Sequence, residues 1–570
     1  MKVRRLLSML LALVMAVSVL LTGCGGATGG DTQGTTTAAG EGTTTAGEAP
    51  ATVEGPQEVT INLGSEPPQM STILTTDVIS FNVIRHVYEG LADLDQQSKP
   101  IPGVAEKWDI SPDGLNYTFY LRKDAKWSDG SAVTAKDFEF AWKMLLTPEN
   151  AAQYAGLIYF IKGAQDFNTG KEKDWSTVGI KAKDDYTLEV QLLRPTPYFI
   201  DITAFGVMMP VKEEFYNSTK NGDKVLYGTE ADEMLYNGGW TVDSWTHEDK
   251  IVLKKNPNYW NNKDIKLDKI TMLMITDTNT ALNTFEAGDA DMVGLKGDTI
   301  QQVKDEGYTV SDYRDGATFY FEYNTKDKIL SNKNIRKALT DAIDRQTLVT
   351  NVFKDGSVPA LSYTNPVVGV TGSDKPFQQI VGDVIKDNNS EEAKQLLAQG
   401  LKELGLSSLP KLQMIADDTD IAKRDGAAYQ EYWKKNLGID VEVLSMPFKS
   451  RVQKMADHDY QMSLSGWGPD YNDPMTFLEI FETGNGNNTT SYSSAEFDKL
   501  LNQIRVEPDN EKRIQELVSA EKLFLDDMPI GPIYFRSRNY VTQPWFKGIY
   551  RDAFQDISLR WAYVDNSEKK

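Results

Sequence analysis

Asp470 is the side chain in this sequence best placed for chemistry and least explained by a structural duty. It lies in the stretch Tyr460-Gln-Met-Ser-Leu-Ser-Gly-Trp-Gly-Pro-Asp-Tyr-Asn-Asp-Pro-Met-Thr-Phe-Leu-Glu-Ile-Phe481. Tyr460, Met462 and Leu464 alternate with polar neighbours, the period of a half-buried strand. Gly466-Trp467-Gly468-Pro469 stops that strand. A helix is expected to open at Pro474, whose missing N–H costs nothing in a first turn, with Asp473 as its cap. Asp470 is left over. A carboxylate beside an exposed tryptophan at a strand end suits an ammonium group. The competing reading makes Asp470 a local Asx-turn residue and Trp467 part of the core, and the residues alone leave both open.

Other chemistry is excluded more firmly. The chain has one cysteine, Cys24, so it can form no internal disulfide and no cysteine-based zinc or haem site. The three histidines, His86, His247 and His458, are too far apart for a metal motif. Asp289-Ala-Asp291-Met-Val-Gly294 is a fragment of a calcium loop, but Ile300 occupies the position that needs a bidentate glutamate. We therefore expect no metal and no cofactor. There is no Gly-x-Ser-x-Gly, and Thr169-Gly170-Lys171 lacks the upstream glycine of a phosphate loop. A hydrolase built on paired acids survives this search, because carboxylates are everywhere. The formal charge of −22 argues against nucleic acid as a partner.

Gly466-Trp-Gly-Pro-Asp-Tyr-Asn-Asp-Pro474 resembles a segment of the family 5 extracellular solute-binding proteins, the oligopeptide-binding lipoproteins of bacterial ABC importers. In that family the aspartate matching Asp470 pairs with the α-amino group of a bound peptide. The resemblance extends to Pro102-Gly-Val-Ala-Glu-Lys-Trp108, Asp113-Gly-Leu-Asn-Tyr-Thr-Phe-Tyr-Leu-Arg122 and Lys126-Trp-Ser-Asp-Gly-Ser-Ala-Val-Thr134. It continues through Asn237-Gly-Gly-Trp240, Lys255-Asn-Pro-Asn-Tyr-Trp260 and the pair Ala317–Asn324 and Ile335–Arg345. It runs from about Glu58 to Val564.

The elements that must position these residues are legible in order. Lys2, Arg4 and Arg5 precede an apolar run from Leu6 to Leu21, the pattern of a signal peptide and too short for a membrane span. Leu21-Thr22-Gly23-Cys24 resembles the lipobox of bacterial lipoproteins, with Cys24 as the lipidated residue. From Gly25 to Gln57 the chain is poor in large apolar side chains and reads as a flexible leash of roughly 30 Å mean reach. Tyr117, Phe119 and Leu121 form one strand face, and Thr134 with Asp137 opens a helix presenting Phe138, Ala141, Trp142 and Leu145. Trp108, Trp127 and Trp142 read as core. His247 falls in a hairpin turn and reads as a solvated residue. Lys411–Ile415, Ala427–Leu437 and Ile439–Val443 form a strand–helix–strand unit whose strands must be parallel. No repeat of 20–50 residues is present, which excludes a solenoid.

At 570 residues more than one core is required. The resemblance implies an α/β, periplasmic-binding-protein-like clamshell of two lobes joined by two strands, with an extra domain. It divides the chain into a signal peptide (1–23), a lipidated linker (24–57), lobe I (58–91, 201–325 and 533–565), an extra domain (92–200) and lobe II (326–532). It implies a monomeric, non-enzymatic lipoprotein on the outer face of the cell membrane that captures oligopeptides and delivers them to an ABC permease. Asp470, Trp467, Gly466, Tyr320, Tyr323 and Asn324 are the ligand-binding candidates, with backbone at Gly466–Trp467 and Tyr320–Asn324 pairing with an extended peptide. Leu464 stands where some relatives carry an arginine that meets the peptide carboxylate. The alternatives are an oligosaccharide or other solute in the same fold, a secreted hydrolase, and an adhesion or scaffold lipoprotein.

Overall fold

The computed structural model describes residues 55–569, apart from 223 and 555. The expected signal peptide, Cys24 and nearly all of the linker lie outside the described residues.

Two long strands organise the chain. Val310–Tyr323 and Ile530–Thr542 run antiparallel through the middle of the main sheet. The order across that sheet is Trp240–Thr246, Lys250–Lys255, Lys269–Leu273, Glu58–Asn62, Met292–Leu295, Ile530–Thr542, Val310–Tyr323, Met462–Trp467, Leu412–Asp417 and Val441–Met446. One end of the Ile530–Thr542 strand, Asn539–Thr542, pairs with Met292–Leu295. One end of the Val310–Tyr323 strand, Thr318–Tyr323, pairs with Met462–Trp467. Each long strand thus crosses from one lobe of the α/β fold to the other, and their mutual register breaks between Arg314 and Thr318. A bulge of this kind bends and twists the ladder where the lobes meet.

The strand–helix–strand unit is present with parallel strands, Leu412 opposite Val441 through Asp417 opposite Met446. Its helix runs Asp420–Leu437, beginning earlier than Ala427 and capped by Thr419, whose hydroxyl accepts from the Ala422 N–H at 3.1 Å. A separate four-stranded antiparallel sheet, in the order Ala105–Ile110, Asn116–Leu121, Thr187–Gln191 and Ile180–Asp184, forms the additional domain. Tyr117, Phe119 and Leu121 face its core together. Asp137 accepts from the Thr134 N–H at 2.7 Å, closing the expected cap of helix Ala135–Leu146. Trp127 and Trp142 are buried, whereas Trp108 is only half-buried at the sheet rim. His247 is not merely solvated. Its ring nitrogens face Glu66 (2.7 Å) and Glu230 (3.2 Å), and the hydrogen bond to Glu66 raises its pKa.

Candidate ligand-binding cleft

The register break opens onto a cleft of about 2270 Å³, counting the space at its mouth.

The Met462–Trp467 strand carries Gly466 and Trp467 to the cleft wall, and Asp470 follows on the loop beyond it. Trp467 is half-buried, and its indole N–H donates to the Thr476 carbonyl at 3.0 Å. The Thr476 hydroxyl accepts from the Asp470 N–H at 2.9 Å, which fixes the loop backbone. The Asp470 carboxylate accepts from the Tyr154 hydroxyl at 3.0 Å, and the Tyr154 and Trp467 rings lie 6.1 Å apart. Among the described residues no lysine, arginine or histidine stands within ion-pair distance of Asp470. Burial pushes its pKa well above the ordinary carboxylate range, Glu479 adds to that, and the Tyr154 hydroxyl opposes it. A charge held this way either takes a proton or takes a cation.

Asp473 has a different job. It accepts from the Met475 N–H at 3.1 Å, as a cap would, but it also forms a buried two-pronged ion pair with Arg513 at 2.8 and 2.9 Å. Arg513 lies forty positions away, and nothing local in the sequence signals it.

Tyr320 lines the cleft, but Tyr323 and Asn324 do not belong to its lining. Strand alternation sends Tyr323 to the opposite face, where its hydroxyl meets Thr340 Oγ1 at 2.9 Å. The Asn324 amide closes the strand end by donating to the His458 and Tyr460 carbonyls at 3.1 and 3.0 Å. The backbone over Tyr320–Glu322 is paired on both sides, with Ser463–Ser465 and with Ile530–Pro532, so it has no edge to offer a ligand. The Met462–Trp467 strand differs. On its far side it meets the Leu412–Asp417 strand only at Met462 and Ser463. Among the described residues its edge from Leu464 to Trp467 is therefore open to an added strand. Leu464 itself packs in the core.

Among the other charged groups that line the cleft, two carboxylates sit on the long strand Val310–Tyr323. Glu322, on the same strand face as Tyr320, accepts from the Tyr460 hydroxyl at 2.7 Å and from the Thr489 hydroxyl, and burial raises its pKa. The period-2 pattern from Tyr320 would have found it. Asp315 sits in the register break and accepts from the Nε–H groups of Arg536 (2.7 Å) and Arg538 (2.6 Å). Burial alone would raise the Asp315 pKa, but the two guanidiniums outweigh it and hold the carboxyl far below its ordinary range.

Residues 99–489 match the model for bacterial extracellular solute-binding proteins, family 5 (middle region). The chain is 38% identical to the oligopeptide-binding protein OppA of Bacillus subtilis, over 97% of this chain and 98% of that one. It is similar in structure to the substrate-binding domain of an oligopeptide ABC transporter from Bacillus anthracis, with 35% identity, a TM-score of 0.86, and coverage of 90% of this chain and 99% of that one. A peptide-bound OppA of Listeria monocytogenes gives a TM-score of 0.85 at 34% identity, over 90% of this chain and 99% of that one. The Escherichia coli murein tripeptide-binding protein MppA matches at 0.82, but its unliganded open form matches at only 0.58, each at 28% identity and about 90% coverage of this chain. The lobes here therefore do not stand in that open arrangement. The chain belongs to the bacterial extracellular solute-binding proteins of family 5.

Proposed function

We propose that this protein captures peptides with a free amino terminus and hands them to an ABC permease, without breaking bonds in them. One observation carries the reading: Asp470 is a half-buried carboxylate on the cleft wall with no cationic partner among the described residues. A peptide ammonium supplies that partner and sets the register of the chain behind it. The open edge from Leu464 to Trp467 then accepts main-chain hydrogen bonds that do not depend on peptide sequence.

Lobe I is 58–91, 201–325 and 533–565, the extra domain 92–200, and lobe II 326–532. The sheet order supports this partition, since the small sheet draws only on residues 105–191 and the far end of the main sheet only on 412–467. The protein acts as a monomer outside the cytoplasm, tethered to the membrane through lipid on Cys24. Native mass spectrometry of the purified mature protein tests the ligand class: co-purifying peptides, released intact, are expected. Co-purifying oligosaccharide, or peptide fragments that accumulate with incubation, contradict the proposal.

A further inference from the structure

We propose that Arg536 is a specificity residue of the cleft, taking a ligand carboxylate close to the peptide's amino end. The inference rests on the peptide-binding reading above and adds to it a preference for acidic ligands.

The placement follows from the break between the long strands. Arg536 projects into the cleft opposite Asp315, the residue before Gly316. Gly316 has φ +75°, and a side chain there would meet the Pro469 ring at 2.7 Å, so the hinge lies directly against the residue preceding Asp470. Arg536 is held from below as well. Its guanidinium lies 4.8 Å from the Phe319 ring centre, and Phe319 is stacked on Tyr534 at 4.9 Å with planes 11° apart. Phe319 in turn occupies the space over Gly466, where any Cβ would come within 3.0 Å of the ring. A guanidinium held over an aromatic stack, beside Gly466 and Pro469, faces the first residues of a ligand anchored at Asp470.

The hydrogen-bond arithmetic leaves capacity. Arg536 uses its Nε and Nη2 groups on one oxygen of Asp315, and Arg538 shares that same oxygen. Arg538 also reaches Asp556 at 3.3 Å and the Tyr540 hydroxyl at 3.0 Å. Nη1 of Arg536 has no protein partner among the described residues. One carboxylate oxygen thus serves two arginines, and the better-supplied one is Arg538. A planar fork with free N–H groups, partly out of water, is the geometry that binds a carboxylate with two parallel hydrogen bonds. The incoming carboxylate belongs either to a Glu or Asp side chain among the first three residues, or to the C-terminus of a peptide as short as a tripeptide.

Calorimetry on the mature protein separates these sources. One arm compares C-terminally amidated pentapeptides with Glu or Gln at positions 1, 2 and 3 of an alanine background. The other compares trialanine with trialanine amide. At least one position or the second arm should favour the carboxylate on the order of tenfold. Arg536→Gln should remove that preference, while Arg538 goes on neutralising Asp315. Arg536→Lys keeps the charge but not the fork, so it should retain only part, and it decides the matter if the glutamine variant melts early. Ratios within twofold in the wild-type protein, or ratios that survive Arg536→Gln, make Arg536 a hinge ion pair only. Absence of binding by every peptide, neutral ones included, fails the peptide-binding reading itself and overturns this inference with it.

Discussion

The Tyr154 hydroxyl donates to the Asp470 carboxylate at 3.0 Å, across 316 positions of sequence. It is the one side-chain donor to that carboxylate among the described residues, so the charge of Asp470 is oriented but not neutralised. Tyr154→Phe should leave the fold intact and weaken free-amine peptides by about 0.5–1.5 kcal/mol, the net worth of one hydrogen bond to a group that stays buried. Calorimetry measures this. Unchanged affinity would mean that Asp470 is positioned by the Thr476 contact alone.

The raised pKa of Asp470 gives the sign of a pH effect. In the empty cleft burial favours the protonated acid. A bound ammonium favours the carboxylate, so peptide binding expels a proton wherever the empty site is protonated. Affinity should fall as pH is lowered through the pKa of the empty site and be flat above it. Titrations in two buffers of different ionisation enthalpy, between about pH 4 and 8, count the protons released. Asp470→Asn should abolish the release. A wild-type protein that releases none would contradict the assignment.

Asp473 and Arg513 illustrate what the sequence could and could not show. The local reading, a helix cap exchangeable for asparagine, followed from residues within two positions. The ion pair depends on a helix forty residues on. Asp473→Asn should therefore unfold the protein at lower denaturant, with a cost on the order of 3–5 kcal/mol, because it strands a buried guanidinium. A change below about 0.5 kcal/mol would restore the simple cap.

Other elements divide along the same line. Asp470 stood out because no neighbour claimed it, and the Thr134–Asp137 cap was plain because its partners are three residues apart. The start of helix Asp420–Leu437 was hidden because Asp425 and Gly426 occupy buried positions where the pattern calls for apolar residues. Tyr323 was misplaced against the local alternation from Tyr320, whereas the loss of a free backbone edge at Tyr320–Glu322 is set by strands far along the chain. The Asp315–Arg536 contact spans 221 positions and left no local trace.

His86 supplies a stability test independent of ligand. Its Nδ1 faces the Asn82 carbonyl at 2.7 Å, and its Nε2 accepts from the Leu559 N–H at 3.2 Å. Both contacts suit the neutral ring, and burial lowers its pKa to about 4 from 6.5. Above pH 6.5 the ring is neutral in both folded and unfolded chains, so nothing is lost. Below it the unfolded chain gains a proton that the folded chain refuses, so stability falls until about pH 4, by about 3 kcal/mol. Asp77 and Asp341, each raised to about 6 chiefly by burial, act in the opposite direction. The contribution of His86 is therefore the difference in slope between wild type and His86→Asn in urea melts at several pH values. Equal slopes would refute it.

Cys24→Ala should shift the protein from the membrane fraction to the medium or leave its precursor uncleaved, since stable anchoring needs more than one acyl chain. Fractionation and acyl labelling read this out, and a variant that partitions like wild type would remove the lipid anchor.

The central claim is that Asp470 holds the peptide's ammonium group, and a thermodynamic cycle tests it most directly. Calorimetry compares wild type and Asp470→Asn, each against a free-amine peptide and its N-acetylated form. Two charges that lose water together should be coupled, so removing one costs on the order of 2–5 kcal/mol, roughly 30- to several-thousand-fold in affinity. The account predicts that the variant loses this for the free amine, while the acetylated peptide binds wild type weakly and loses little more. A coupling energy near zero would place the amino end elsewhere and return Asp470 to a structural role.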